Sequence, residues 1–191
     1  CTALKMIWVH DAIADEFLSR LSLAVDALRG GMPWDAGVQI TPLPEPGKVP
    51  AMRSLVDDAV AKGARVVNAQ GQTAEATFMR PAVVYPVSAE ARLYQEEQFG
   101  PVVPVAAFHE IDAPLRYVIE SDYGQQVSIF GIDPREIAVL VDPLVNQVCR
   151  VNINSQCQRG PDTFPFTGRK DSAEGSLSVS DALRVFTIRT L

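Results

Sequence analysis

Short apolar runs alternate with amphipathic segments along most of the chain. Six runs have the length and the β-branched content of strands: residues 5–10, 64–68, 81–85, 102–108, 126–130 and 148–153. Four segments carry apolar residues at helical spacing: residues 11–28, 51–62, 112–120 and 134–141. Because strands and helices alternate, the pattern predicts an α/β fold: an open, twisted, mainly parallel sheet with flanking helices. The runs at 64–68, 81–85 and 102–108 are apolar enough to be buried on both faces, and ligands of such sheets gather outside the carboxyl ends of the strands.

The remaining segments are predicted loops and, at the C-terminus, a short helix followed by a strand. Residues 32–50 contain five prolines and no apolar period, which predicts an ordered surface loop. Gly63 is the expected C-cap of the helix before it. After Asn154 a loop rich in glycine, proline and phenylalanine runs to Gly175, followed by a predicted short helix over residues 178–183. Residues 184–191 (RVFTIRTL) alternate like an edge strand.

Composition excludes several classes of function. The chain has 191 residues, a formal net charge of −6 and 47% hydrophobic residues, which is typical of one soluble domain. No basic stripe is present to bind nucleic acid, and the apolar runs are too short for a membrane segment or a signal peptide. The three cysteines are too few for a disulfide framework or a zinc site, so we predict no metal site and a reducing, cytoplasmic compartment.

Cys1 is the first candidate for chemistry. A thiolate is a strong nucleophile, but a cysteine beside a strand is more often a buried structural residue. Its position at the start of the chain leaves open an N-terminal nucleophile whose own α-amine acts as the base. Because the chain begins with Cys1 and has no initiator methionine, we expect it to be a processed product or a piece of a longer polypeptide.

Two further groups of residues attract attention. Glu96 and Glu97 precede a predicted strand, where a carboxylate could cap the turn or bind a sugar hydroxyl; Phe99 argues for a site because an exposed turn has no reason to carry it. Arg159 follows the strand at 148–153 and could anchor a carboxylate or a phosphate through its planar guanidinium. A role in packing is expected for the four other residues of interest: Cys149, Cys157, His10 and His109.

Several motifs together resemble the aldehyde dehydrogenase superfamily. CTALKMIWVHDAIADEF resembles the segment that begins at the catalytic cysteine of that superfamily, and QEEQFGPVVPV resembles its Glu-Glu-x-Phe-Gly-Pro-Val signature. The strand VNINS, the loop PFTGRKDS and the closing strand extend the resemblance over essentially the whole chain. Within the superfamily, ITPLPEPGK, NQVCRVNINSQCQRGPDTFPF and KDSAEG look closest to the non-phosphorylating, NADP-dependent glyceraldehyde-3-phosphate dehydrogenases.

The resemblance implies a role for each matched residue. Cys1 would be the nucleophile, Glu97 would hold the nicotinamide ribose, Phe99 would lie beside the nicotinamide, and Arg159 would anchor the substrate phosphate. Lys48 falls in a loop that borders the cofactor in relatives, although the match there is poor. The implied reaction oxidises glyceraldehyde 3-phosphate to 3-phosphoglycerate with NADP, or with NAD, through a thiohemiacetal and a thioester on the cysteine.

The resemblance also implies how the chain is organised. Residues 1–183 would form the catalytic domain, and residues 184–191 would form an oligomerisation strand that joins a neighbouring subunit in a dimer or tetramer. The dinucleotide-binding domain, the general-base Glu and the oxyanion Asn all precede the nucleophile in that family, so the chain alone is expected to be inactive. Two alternatives remain: an N-terminal cysteine amidohydrolase and a non-enzymatic assembly domain.

Overall fold

The chain forms two compact units, Ala3–Glu110 and Ile111–Leu191. The structure is a computed structural model that describes residues 3–161, 164–188 and 190. No helix among the described residues is both long enough and apolar enough to cross a bilayer.

The first unit is built around one four-stranded sheet. The strands of the whole unit are β1 (Ile7–His10), β2 (Arg65–Val66), β3 (Ala74–Glu75), β4 (Phe78–Met79), β5 (Ala82–Tyr85) and β6 (Val102–Phe108). Its helices are α1 (Ala14–Asp26), α2 (Lys48–Ala61) and α3 (Arg92–Gln95), with a 3₁₀ turn at Asp11–Ile13 before α1. The sheet has the order β1-β6-β5-β2; β6 pairs in parallel with both β1 and β5, whereas β2 is antiparallel to β5. Strands β3 and β4 form a separate hairpin.

Alternating residues of β5 face the two helical layers. Val83 packs in a core cluster with Leu18 of α1, and Val84 packs in a second cluster with Val56 of α2. Neighbouring side chains of a strand point to opposite faces, so helices cover both faces of the sheet. This confirms the predicted mainly parallel sheet with flanking helices.

The strand predicted at residues 64–68 is wrong in length and in environment. Only Arg65–Val66 is a strand, and it is an antiparallel edge with Arg65 exposed. The strand ends early because the buried Asn68 side chain takes other partners: its Nδ2 donates to Asp26 and to Pro81 O, and its Oδ1 accepts from Val83 N. The pairing is antiparallel because the hairpin β3–β4, not a crossover helix, connects β2 to β5.

Helix boundaries also differ from the sequence prediction. Helix α2 begins at Lys48 instead of residue 51, because Pro50 lies in the first turn, where a helix needs no backbone N–H donor. Helix α1 ends at Asp26. The 3₁₀ turn before it is capped by His10, whose side chain accepts the N–H of Ala12. Gly63 has φ +95°, the left-handed conformation expected of a C-cap glycine.

The described residues of the second unit form a two-stranded parallel sheet and three helices. Its strands are β7 (Tyr123–Gly124), β8 (Gln126–Ile129), β9 (Arg150–Ile153), β10 (Phe166–Thr167), β11 (Arg169–Lys170) and β12 (Ser176–Leu177). Its helices are α4 (Asp112–Glu120), α5 (Pro134–Val145) and α6 (Val179–Val185). Strands β8 and β9 pair in parallel, β7 pairs with β11, and β10 pairs with β12.

Helices α4 and α5 pack on one face of the β8–β9 pair. Ile129 of β8 forms a core cluster with Ile137 and Leu144 of α5, and Leu115 of α4 packs against it. Helix α5 was expected to stop at residue 141, before Pro143, but it continues to Val145. Burial of Leu144 in the cluster offsets the hydrogen bond that a proline inside a helix removes.

The C-terminal oligomerisation strand stays a prediction. Helix α6 continues through Arg184 and Val185, the first two residues of the segment predicted to be that strand. Arg189 and Leu191 lie outside the described residues. A strand that forms against a neighbouring subunit has no partner to pair with in one chain.

Candidate active site

The segment that follows Cys1 is fixed by the side chain of Gln98. Cys1 itself lies outside the described residues. Gln98 is 2% exposed, and its Nε2 donates to Leu4 O at 2.8 Å and to Val102 O at 3.1 Å. Gln98 therefore joins the chain entering β1 to the turn that enters β6, and this turn carries Glu97 and Phe99.

These residues lie at the amino ends of β1 and β6. Glu97 and Phe99 precede β6, and the chain leads from Cys1 through Leu4 into β1. Ligands were predicted at the carboxyl ends of the strands. This part of the candidate site lies instead at their amino ends.

The two adjacent glutamates have different surroundings. Glu96 accepts from Arg92 Nε at 2.7 Å and from Arg92 Nη2 at 3.0 Å, and this bond holds the pKa of Glu96 below its usual value. The Arg92 backbone N–H donates to Asp58 of α2, which fixes α3 on that helix. Glu97 is exposed and has no ion pair among the described residues. Glu96 is therefore a structural residue, and Glu97 is the carboxylate free to bind a ligand.

Lys5 lies beneath the same turn. Its Nζ donates to Leu93 O at 2.6 Å and to Tyr94 O at 3.3 Å. Burial lowers the pKa of Lys5 to about 8, although the nearby carboxylates of Glu97 and Glu96 raise it. The hydrogen-bond partners of the Lys5 Nζ are thus neutral carbonyls, and with a pKa of about 8 the group loses its proton far more readily than an exposed lysine.

Phe99 presents its ring to solvent from a strained backbone. The residue is 52% exposed and has φ +45°, a conformation that side chains other than glycine rarely adopt. Lys48, at the start of α2, places its Nζ 5.9 Å from the centre of the ring. Gly100 follows, and a Cβ there would collide with the Sδ of Met52. The close packing of Gly100 fixes the turn that displays the Phe99 ring.

Arg159 belongs to the second unit, in the loop after β9. Gln158, next to it, is held on both sides of its backbone: its N–H donates to Gln126 Oε1 at 3.1 Å, and its carbonyl accepts from Arg150 Nη1 at 2.7 Å. The exposed Arg159 guanidinium lies 5.1 Å from the centre of the Phe166 ring. The predicted anchor is thus a stacked guanidinium on a loop that hydrogen bonds position.

A polar network supports this loop from the face of the β8–β9 pair opposite the helices. Ser128 Oγ and Cys157 Sγ are 3.3 Å apart, and Asn152 Nδ2 donates to Gln126 Oε1 at 3.2 Å. Cys157 was predicted to be a packing residue, but its thiol is part of this network. Phe164 of the loop lies under Arg150 of β9, with Arg150 Cζ 5.7 Å from its ring centre.

The structure thus assembles the predicted residues in two places. Glu97 and Phe99 share a turn in the first unit with the segment that follows Cys1, and Arg159 has its own supports in the second unit. Sequence reasoning missed Gln98, whose role depends on contacts with residues more than ninety positions away. It also missed Arg150, since nothing in a strand pattern marks an arginine that binds a loop carbonyl.

Comparisons with known proteins identify the family of the chain. A sequence profile of the aldehyde dehydrogenase family matches residues 1–190. The chain is 34% identical over 187 residues to an NADP-dependent glyceraldehyde-3-phosphate dehydrogenase of Streptococcus equinus, covering 98% of this chain and 38% of that enzyme. It is 31% identical over 190 residues to a vanillin dehydrogenase of Pseudomonas fluorescens, again covering 98% of this chain and 38% of the relative.

Solved structures give the same result. The crystal structure of an NADP-dependent glyceraldehyde-3-phosphate dehydrogenase from Bacillus halodurans C-125, complexed with NADP, superposes with a TM-score of 0.89 at 32% identity. The alignment covers 96% of this chain and 37% of that structure. The chain therefore spans less than two fifths of the length of these relatives. On the strength of the profile match over nearly its whole length, the chain belongs to the aldehyde dehydrogenase family.

Proposed function

We propose that the protein carrying this chain oxidises a phosphorylated aldehyde, glyceraldehyde 3-phosphate first among candidates, to its acid with NADP and without inorganic phosphate. The observation that carries the proposal is the Gln98 link, which places the segment following Cys1 beside the turn of Glu97 and Phe99. A nucleophile and a cofactor-binding turn must be neighbours if an aldehyde carbon is to lose hydride to that cofactor.

The exposed groups of the first unit fit a nicotinamide nucleotide. The Glu97 carboxylate can accept hydrogen bonds from the two hydroxyls of a ribose, and the half-exposed Phe99 ring offers a flat apolar surface to a nicotinamide. Lys48 adds a positive charge beside that ring, which suits the phosphates of a dinucleotide. When bound, NADP supplies the acceptor for the hydride.

Cys1 carries the covalent chemistry in this proposal. Its thiolate adds to the aldehyde carbon, forming a C–S bond and a thiohemiacetal whose oxygen bears the negative charge. After loss of hydride a thioester remains on Cys1. Water then attacks the thioester carbon, the C–S bond breaks, and the product leaves as a carboxylate while the thiol is restored.

Arg159 binds the far end of the substrate. Its guanidinium is exposed and stacked on Phe166, so its N–H fork is free to make two parallel hydrogen bonds to a phosphate. Holding the phosphate at a fixed point orients the carbonyl toward the nucleophile. The similar vanillin dehydrogenase makes an aromatic aldehyde the second candidate substrate.

The assembly of the protein is part of the proposal. We expect residues 184–191 to pair with a second copy of the chain in a dimer or tetramer. The parallel sheet and the family assignment favour the dehydrogenase over an N-terminal cysteine amidohydrolase, whereas the non-enzymatic assembly domain is an outcome that the assay decides.

The test is an absorbance assay at the NADPH band, made on the whole protein that carries this chain, since the chain alone is expected to be inactive. Glyceraldehyde 3-phosphate and vanillin are offered separately, with NADP or NAD and no inorganic phosphate. We expect turnover of glyceraldehyde 3-phosphate with NADP and no turnover in Cys1→Ser. Arg159→Gln should raise KM for glyceraldehyde 3-phosphate 10- to 100-fold and leave KM for vanillin unchanged, because a charge-assisted pair contributes about 1.5–3 kcal/mol. The matched control is Arg135→Gln, which replaces an exposed arginine at the start of α5. Turnover of neither aldehyde by the folded protein would contradict the proposal.

A further inference from the structure

The two histidines of the sequence meet at one place on the surface. His10 ends β1, and His109 follows β6, its parallel neighbour, in which Phe108 pairs with His10. Asp11 lies between them. These residues are at the carboxyl ends of the two strands, roughly 15 Å along β1 from the segment that follows Cys1. They are therefore separate from the candidate active site, at the edge where parallel sheets commonly bind ligands.

The donor atoms of the three residues converge. Asp11 Oδ2 is 2.9 Å from His109 Nδ1, and Asp11 Oδ1 is 3.1 Å from His10 Nδ1. One ligand atom of each residue lies within 4.8 Å of those of the other two. Tetrahedral zinc with bonds of about 2.0–2.2 Å places its ligand atoms roughly 3.3 Å apart. The two distances to Asp11 are a few tenths of an ångström below this value, and the ligand atoms all lie within 4.8 Å of one another, so small side-chain movements admit an ion.

Neighbouring contacts orient each ring. His10 packs edge-on against Phe108, with ring centres 5.3 Å apart, and its Nδ1 accepts the Ala12 N–H at 3.1 Å. One lone pair serves only one partner, so His10 gives up this hydrogen bond when it binds an ion through Nδ1. The other nitrogen of His109, Nε2, lies 3.7 Å from Glu110 Oε1. A carboxylate on the far nitrogen of a histidine is the usual outer support of a metal-bound imidazole, because it fixes the tautomer and the ring orientation.

We propose that His10, Asp11 and His109 form a binding site for a divalent transition-metal ion, zinc above all. Two imidazoles and one carboxylate are ligands suited to zinc, nickel and copper rather than to magnesium or calcium. All three residues are exposed, so solvent or another molecule completes the coordination. Because the ligands come from the ends of β1 and β6, the ion ties the two strands together and stabilises the pairing that also carries the segment after Cys1 and the Glu97 turn.

The test uses zinc alone as the probe. Isothermal titration of ZnCl₂ into the purified protein should show one site, and His109→Gln, His10→Gln and Asp11→Asn should each weaken it by at least tenfold. Asp15→Asn, which removes the same charge from an exposed position in the first turn of α1, should bind like the parent. Urea midpoints measured in EDTA establish that the variants fold, and excess zinc should raise the midpoint of the parent but not that of His109→Gln.

One further readout needs no variant. In the parent protein, the ring resonances of both histidines should shift together as zinc is added. Zinc binding that is unchanged in His109→Gln, as expected if the cysteine thiols hold the metal, would overturn the proposal. So would the absence of stoichiometric binding in the parent.

Discussion

Gln98→Met tests the connection between the segment that follows Cys1 and the turn that carries Glu97 and Phe99. Methionine has nearly the same length and volume as glutamine, so it leaves no cavity at this buried position, but it donates no hydrogen bond. The substitution thus removes the bonds from Nε2 to Leu4 O and Val102 O, together with a longer one to Lys5 O at 3.4 Å.

The expected cost is about 2 kcal/mol in the free energy of unfolding. Losing the donor to a buried carbonyl costs about 1–3 kcal/mol, which applies to the 2%-exposed Val102. Leu4 is 50% exposed, so water partly replaces the lost donor there and the cost is about 0.5–1 kcal/mol. The buried Oε1 of Gln98 has no hydrogen-bond partner among the described residues, and removing it returns part of this loss.

The assay is urea unfolding followed by tryptophan fluorescence, since Trp8 lies in β1, directly after the segment that Gln98 holds. Gln95→Met, at an exposed position at the end of α3, is the matched control. Hydrogen exchange of the peptide before β1 should also become faster in Gln98→Met than in Gln95→Met. If the free energies of unfolding of the two variants agree within about 0.5 kcal/mol, the hydrogen bonds of Gln98 do not have the role given to them.

Three other substitutions test separate parts of the account. Phe99→Gly relieves a residue with φ +45°, so denaturant unfolding should show unchanged or slightly higher stability while KM for NADP rises. Lower stability would contradict the backbone strain, and an unchanged KM would contradict the role given to the ring. Lys5 has a pKa of about 8 when folded against 10.5 for the free side chain, so the unfolded chain binds more protons between these values and stability should rise by up to about 3 kcal/mol from pH 8 to 10.5. Lys5→Met should lose that slope, and an equal slope in both proteins would show the lysine is not perturbed. Lys170→Met removes donations from an exposed Nζ to three carbonyls at the end of α4. Because water partly replaces an exposed donor, the substitution should cost about 0.5–1.5 kcal/mol in urea unfolding. The control Lys62→Met removes one i,i+4 ion pair and should cost less, about 0.3–0.5 kcal/mol.

The fold was predictable where pattern and packing agree. The valine-rich runs that became β5 and β6 have few solutions other than a buried parallel sheet, and residues 112–120 form the predicted helix α4 from the first residue to the last. The prediction failed where a single side chain decides. Asn68 ends β2 through partners distant in sequence, and Pro143 stays inside α5 because Leu144 is buried.

The candidate site was predictable only through its motifs. Glu97, Phe99 and Arg159 were selected because their surroundings match a family pattern, and the structure adds why Glu97 differs from Glu96: Arg92 occupies one carboxylate and not the other. Periodicity carries no information on which backbone carbonyls the Gln98 side chain reaches. His10 and His109 are ninety-nine positions apart in the sequence. Their meeting depends on the parallel register of β1 with β6.

The central claim is that Cys1 forms a covalent intermediate with the aldehyde. Acid quenching during turnover of glyceraldehyde 3-phosphate with NADP, followed by peptide mass spectrometry, measures this directly. The account predicts a phosphoglyceroyl thioester on the peptide that contains Cys1, absent when NADP is omitted and absent in Cys1→Ser. Turnover with no acyl adduct on that peptide, or an adduct on Cys149 or Cys157 instead, would contradict it.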